Sequence, residues 1–249
     1  MYNCAMESSM RNAILGVCGL LLVTTTMSAQ QPPPAGRGQA TAPPAINWPS
    51  PPLPDGPLMI DTGLVRPIKV TITKGLTQPW SMVFVPEGGG DFTILVAERG
   101  GMLRKIRNGA LDPSPVDGLP ADIQAAGLAG LMDIQLHPKF ADNKFVYVCY
   151  TKPIDDKRQT TAIARGTWDG NALTGTKDVF VGSEGIGTSR IAFGRDGMLY
   201  MSTSSGQGNG AQDPNNQGGK VLRLKDDGSI PTDNPFAGRA GFCPTGRRP

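Results

Sequence analysis

IQLHPKFADNKFVYV, residues 134–148, reads as an alternating apolar strand, a turn rich in Pro, Asp and Asn, and a second strand of aromatic and β-branched residues. The same phrase stands on either side of it, as VFVPEGGGDFTILV at 83–96 and IAFGRDGMLYM at 191–201. Each copy is followed by one more strand that closes on a turn: MLRKIRNG at 102–109, TAIARGTWDG at 161–170 and KVLRLKDDG at 220–228. The copies start about 51 and 57 residues apart. A period of that size, with several short strands per unit, is the mark of a β-propeller or a related radial repeat. The expected fold class is therefore all-β, and function is to be sought in the loops at one end of a central channel.

Outward from the repeats, strands are expected at 68–73, 81–85, 93–98, 102–106, 132–136, 145–150, 162–167, 179–181, 190–193, 198–202 and 220–224. No stretch carries a sustained helical period. The longest loop is 204–219, rich in Gly, Asn and Gln. Hydrophobic content of 39% suffices for a core, while 33 Gly and 23 Pro point to turns rather than helices. A net charge of +3 without a basic stripe gives no footprint for nucleic acid or an anionic membrane.

Residues 1–29 read as an export signal. Arg11 precedes an apolar run at 13–23, and small and polar residues lead to Ser28 and Ala29. A run of 11 residues is too short to span a bilayer, which takes about 20. A lipoprotein anchor at Cys18 is disfavoured by Val17 before it. The expected location is periplasmic or extracellular. Residues 30–57 form a proline-rich tether with no means of building a core. Residues 58–249 form the propeller region, room for roughly four blades at ~40–50 residues each. The last stretch, CPTGRRP at 243–249, lacks strand character and reads as a truncation or frameshift, leaving a propeller with open strand edges. Cys149, in FVYVCY, is expected to be buried. With Cys4 and Cys18 removed by export, two free thiols are expected rather than a Cys149–Cys243 disulfide.

Several phrases together resemble the glucose/sorbosone dehydrogenase family, soluble sugar dehydrogenases that use pyrroloquinoline quinone (PQQ) on a six-bladed propeller. They are GLTQPWSMVFVP at 75–86, VAERGGMLRKI at 96–106, GLAGLMDIQLHPKFADNKFVYVCYTKP at 127–153, SRIAFGRDGMLY at 189–200 and AQDPNNQGGKVLRLKDDGSIPTDNPF at 211–236. The resemblance implies export, a sugar substrate, an electron acceptor, and PQQ with calcium in an intact member. It also exposes departures. The family's catalytic base is a His four residues before the Arg that matches Arg190, and here that position is Ile186. Ile cannot take a proton from a sugar hydroxyl. The family's pocket Gln falls at Leu128, and its pocket Asp falls near Ser205. The PQQ-clamping phrase would lie just beyond NPF and is at best echoed in Gly246, Arg247, Arg248 and Pro249. No catalytic residue and no metal ligand is assigned. The expectation is that this fragment neither binds the cofactor nor turns over. The alternative is a non-catalytic propeller that binds a carbohydrate or a protein partner.

The remaining candidates have plain readings beside functional ones. His137, the single histidine, is either a turn histidine bonded to backbone or the partner of a hydrolytic nucleophile, and the turn reading comes first. Alternation places Asp133, Gln135 and His137 on one strand face, either solvated or along the channel. Arg190 is expected beside the pocket, held by a salt bridge or a carbonyl, or in contact with ligand. Pocket-adjacent residues are thus Arg190, Asp133 and Ser205. Asp226, Asp227, Asp233 and Asn234 carry oxygens suited to calcium, but Asp-Gly and Asp-Asn-Pro are ordinary turn chemistry. Gly206, Gly208 and Gly210 lack the βαβ unit of a dinucleotide site.

Overall fold

Alternation of apolar residues in the three repeated phrases becomes three sheets in the computed structural model, which describes residues 54–61, 63, 68–71, 73–88, 91–183, 187–204 and 210–234. The first blade comprises β3 (Pro79–Gly88), β4 (Asp91–Glu98), β5 (Met102–Arg107) and the two-residue β6 (Ala110–Leu111), in that order across the sheet. The second comprises β7 (Leu131–Leu136), β8 (Phe145–Pro153), β9 (Gln159–Trp168) and β10 (Leu173–Val181). The third comprises β11 (Ser189–Phe193), β12 (Leu199–Thr203) and β13 (Val221–Leu224). All these pairings are antiparallel, as expected for meanders, and the long connection among them is the one from β12 to β13. A fourth, two-stranded ladder joins β1 (Leu58–Ile60) to β2 (Ile68–Val70). The single helix among the described residues, α1 (Phe140–Asn143), is one turn inside the β7–β8 connection.

Two apolar layers hold the blades face to face. The first contains Val83, Leu95 and Leu103 of blade 1 with Leu131, Val148 and Tyr150 of blade 2. The second contains Met132, Tyr147 and Cys149 of blade 2 with Ile191, Met201 and Leu222 of blade 3. The run FVYVCY thus sends alternate side chains into two different cores, so it is apolar throughout rather than amphipathic. Cys149 is a free, fully buried thiol, and burial pushes its pKa up to about 12, out of reach of thiolate chemistry.

Every strand expected from the sequence is present. The ones that alternation did not disclose are β1 and β6, three and two residues long and set by pairing with a neighbour rather than by their own pattern. β8, β9 and β10 run several residues longer than expected, because their polar ends, such as Lys152 and Gln159, continue the ladder.

Candidate functional site

The innermost strands β3, β7 and β11 start at the same end of the sheets, and Asp133 and Arg190 meet there. Asp133 follows a register shift between Leu131 and Asp133, and its carboxylate is buried at 4% exposure. Oδ1 accepts from Ser81 Oγ on β3 at 2.5 Å and from the Ile134 N–H at 3.0 Å. Oδ2 accepts from the Ile191 N–H on β11 at 2.8 Å. A single carboxylate therefore ties the inner strands of all three blades. This corrects the solvated-face reading of Asp133: the shift breaks simple alternation, and three donors offset the cost of burying the charge.

Arg190 donates from Nη1 to the Trp80 carbonyl at 3.0 Å and lies 3.7 Å from Asp133 Oδ1. Its side chain is 53% exposed, so much of the guanidinium faces solvent at the mouth of the inner strands. The carbonyl contact is thus the role the structure displays for Arg190. The Arg190 N–H donates to Ser202 Oγ at 3.0 Å, which fixes the start of β11. Ser205 and Ile186 lie outside the described residues.

Two clamps at this end escaped the sequence reading. Arg99 donates through Nε and Nη2 to Gln78 Oε1 at 2.9 and 2.7 Å, and through Nη1 to the carbonyls of Gly127 and Ala129. Its own carbonyl accepts from the Leu131 N–H at 3.0 Å. Gly130, at φ +142°, allows this approach, since a Cβ there would stand 2.0 Å from the Arg99 carbonyl oxygen. The segment that Arg99 holds presents Leu128 to solvent at 66% exposure. Lys220 is the second clamp. Its Nζ donates to the carbonyls of Gly210, Ala211 and Gly218 at 2.9–3.2 Å, and burial lowers its pKa. Nothing in the local pattern marks either residue, because the partners, main-chain carbonyls and for Arg99 also the Gln78 side chain, are brought close by folding.

His137 sits at the far end of β7. Its Nδ1 accepts from the Lys139 N–H at 3.0 Å and is 2.7 Å from Asn143 Nδ2, while Nε2 is 3.6 Å from Asp226 Oδ2. Phe145, Tyr147 and Phe193 surround the ring. Burial lowers its pKa and outweighs the Asp226 charge. It is a turn histidine bonded to backbone, as the LHPKF phrase suggests. The acidic tail residues are likewise turn formers: Asp227 Oδ1 accepts from the Ser229 N–H at 2.9 Å, and Asp233 pairs with Arg223 at 2.8 Å.

A cleft of about 520 Å³ opens beside blade 2 between Gly118–Asp122 and β10. In its wall Lys152 bridges Asp122 and Asp178, and Tyr150 donates to Asp178 Oδ1 at 2.7 Å. These charges satisfy one another, so the cluster reads as a staple between the inter-blade loop and the sheet.

Repeated antiparallel blades, joined through a carboxylate shared by their inner strands, define a propeller-class protein with its open polar groups at one end. The glucose / sorbosone dehydrogenase family model matches residues 76–245, and the chain belongs to that family. It is 34% identical over 174 residues to the aldose sugar dehydrogenase YliI of Escherichia coli K12, a match covering 67% of this chain and 46% of that protein. It is similar to the crystal structure of the soluble aldose sugar dehydrogenase from Escherichia coli in the apo form, with a TM-score of 0.60 and 32% identity over 67% of this chain and 49% of that one. The PQQ-bound aldose sugar dehydrogenase of Streptomyces coelicolor gives a TM-score of 0.56 and 30% identity over 68% and 51% of the two chains. The chain spans about half the length of these relatives.

Proposed function

We propose that the protein is an exported sugar dehydrogenase-like oxidoreductase of the PQQ-dependent kind, and that the 249-residue chain does not turn over by itself. Family membership across residues 76–245 carries the first part. Export rests on the signal-like residues 1–29.

The second part rests on what the open end offers. PQQ is a planar tricarboxylate, and holding it takes several cationic donors. Among the described residues at this end, Arg190 is half-exposed beside its Trp80 and Asp133 contacts, whereas Arg99 and Lys220 are engaged with Gln78 and main-chain carbonyls. These residues do not make a holder for the cofactor, and no chemical step is derived through it. Ile186 stands where a base is needed, and an exposed Leu128 stands where a pocket amide is expected. Losing a general base alone costs about 10²–10⁴-fold in rate. Leu128 also supports a second reading, a non-catalytic propeller that binds a carbohydrate or a protein through this end.

The test is dye reduction by the purified 249-residue chain given PQQ, calcium and glucose, with cofactor binding followed by fluorescence. The expected rate equals the blank. Turnover above the blank that Arg190→Ala leaves intact and His137→Ala abolishes would overturn the assignment of the open end.

A further inference from the structure

We propose that His137 is an acid-operated latch on the β7–β8 turn: uncharged, it holds the turn shut through Nδ1, and protonated, it lets the turn go while its ring stays docked on blade 3. The hydrogen bonds around the ring decide where its proton sits. The Lys139 N–H donates to Nδ1 at 3.0 Å, and Asn143 Nδ2 approaches the same atom at 2.7 Å. The Asn143 amide cannot be turned round without loss, since its Oδ1 accepts from the Phe145 N–H at 3.0 Å. Nδ1 thus faces two donors and presents its lone pair, so the neutral ring carries its proton on Nε2. Nε2 stands 3.6 Å from Asp226 Oδ2, on the turn that follows β13.

The ring is the hub of the turn. The His137 carbonyl accepts from the Phe140 N–H at 2.9 Å, and the His137 N–H donates to the Phe145 carbonyl at 3.0 Å. Between them the chain makes α1 and leaves it through Lys144 at φ +56°. A proton added to Nδ1 replaces the one acceptor by a third donor. The Lys139 N–H then loses its partner, and rotating the Asn143 amide to receive the new proton strands the Phe145 N–H as well. The turn opens for lack of acceptors. Nε2–H meanwhile gains a full charge opposite Asp226, and Phe193 of β11 still meets the ring edge to face at 5.3 Å, so the contact with blade 3 survives.

Among the described residues, the charged groups acting on the ring are Lys139 on its own turn, Arg165 on β9 and Asp226 after β13. Tyr147 of β8 stacks on the ring, and its hydroxyl donates to the Asp226 carbonyl at 2.9 Å. Lys144 lies over Phe140 instead, and Asp227 caps its own turn. Burial, the largest effect, and the two cations oppose protonation, while Asp226 favours it, so the latch trips below the ordinary histidine value of about 6.5. The turn lies at the end of β7 away from Asp133 and Arg190, so the latch does not depend on the oxidoreductase reading.

The chain has a single histidine, so nitrogen NMR of the 249-residue protein reads both ring nitrogens without ambiguity, from about pH 7.5 to about pH 4. At the upper end Nδ1 should be bare and Nε2 protonated. As the ring titrates, amide protection of Lys139 and Phe145, corrected for the intrinsic effect of pH, should fall about ten-fold or more, while that of Val148 and Met201 in the two cores holds. Asn143→Asp offers an acceptor to Nδ1–H and keeps one for the Phe145 N–H. It should raise the titration midpoint by about one pH unit or more and keep Phe145 protected in acid. A proton on Nδ1 at neutral pH overturns the proposal. So does unchanged protection of Lys139 and Phe145 through the titration, loss of core protection at the same midpoint, or acid release of Phe145 that persists in Asn143→Asp.

Discussion

Among the described residues, blade 2 is covered on both faces and blade 1 on one, although both grow from the same strand–turn–strand phrase. In blade 2, Val146 and Val148 of β8 face the first core while Tyr147 and Cys149 face the second, and all four are essentially inaccessible. In blade 1, Val83 and Val85 are buried while Met82 and Phe84, the alternate residues of the same strand, expose more than half of their surface. Equal apolarity in sequence thus corresponds to unequal burial. An apolar run shows that a strand is suited to two covered faces, and only its neighbours decide whether it has them.

The largest expected effect comes from truncating the doubly covered blade. Ile163→Ala, on β9 in the second core, should cost about 2–5 kcal/mol in urea unfolding, while Phe84→Ala should cost less than about 1 kcal/mol in dilute solution. Equal losses would show that blade 1 is covered within a single chain, and the contrast would fail. Gly130→Ala should be nearly as damaging, at least about 3 kcal/mol, because a Cβ 2.0 Å from the Arg99 carbonyl oxygen forces main chain apart at the seam of blades 1 and 2. A melting temperature unchanged by Gly130→Ala would show the seam to be loose.

Asp133→Asn tests the tie across all three blades. The amide keeps the shape but turns an NH₂ toward a main-chain or hydroxyl donor, so a loss of about 1–3 kcal/mol is expected by denaturant titration. A neutral result would mean that the inner strands are held by their apolar layers alone.

The smallest effect is at the seam of blades 2 and 3. Burial lowers the pKa of His137 below its ordinary 6.5, so the folded state resists protonation that the unfolded chain accepts. Stability from this group is present above about pH 6.5 and is lost as the pH falls from there through the lowered folded value. Urea midpoints at pH 5 and pH 7.5 should therefore differ more for the native chain than for His137→Gln. An identical pH response in the two would remove His137 from this account.

Much of this was legible in the chain. The spacing of three phrases and the turn residues between them marked eleven of the thirteen strands, because period-2 apolarity and Asp/Gly/Asn turns act over a few residues. Asp133 and Arg190 could be singled out as polar residues on inner strands, but not joined. Their bond depends on a register shift and on β3 and β11 arriving beside β7, contacts 52 to 110 residues apart in sequence. Arg99 and Lys220 were silent for the same reason, since what they grip, main chain and for Arg99 also Gln78, comes close only on folding.

By itself, then, the sequence determined that the protein is all-β, in repeated units, with its one histidine in a turn. Tertiary structure alone decided that one carboxylate ties three blades, that Arg190 leans on the Trp80 carbonyl, and that, among the described residues, one of two equally apolar sheets is covered on one face only. The division follows from range. Strand and turn preferences are local, whereas burial and hydrogen-bond partners depend on which distant segments come to lie alongside.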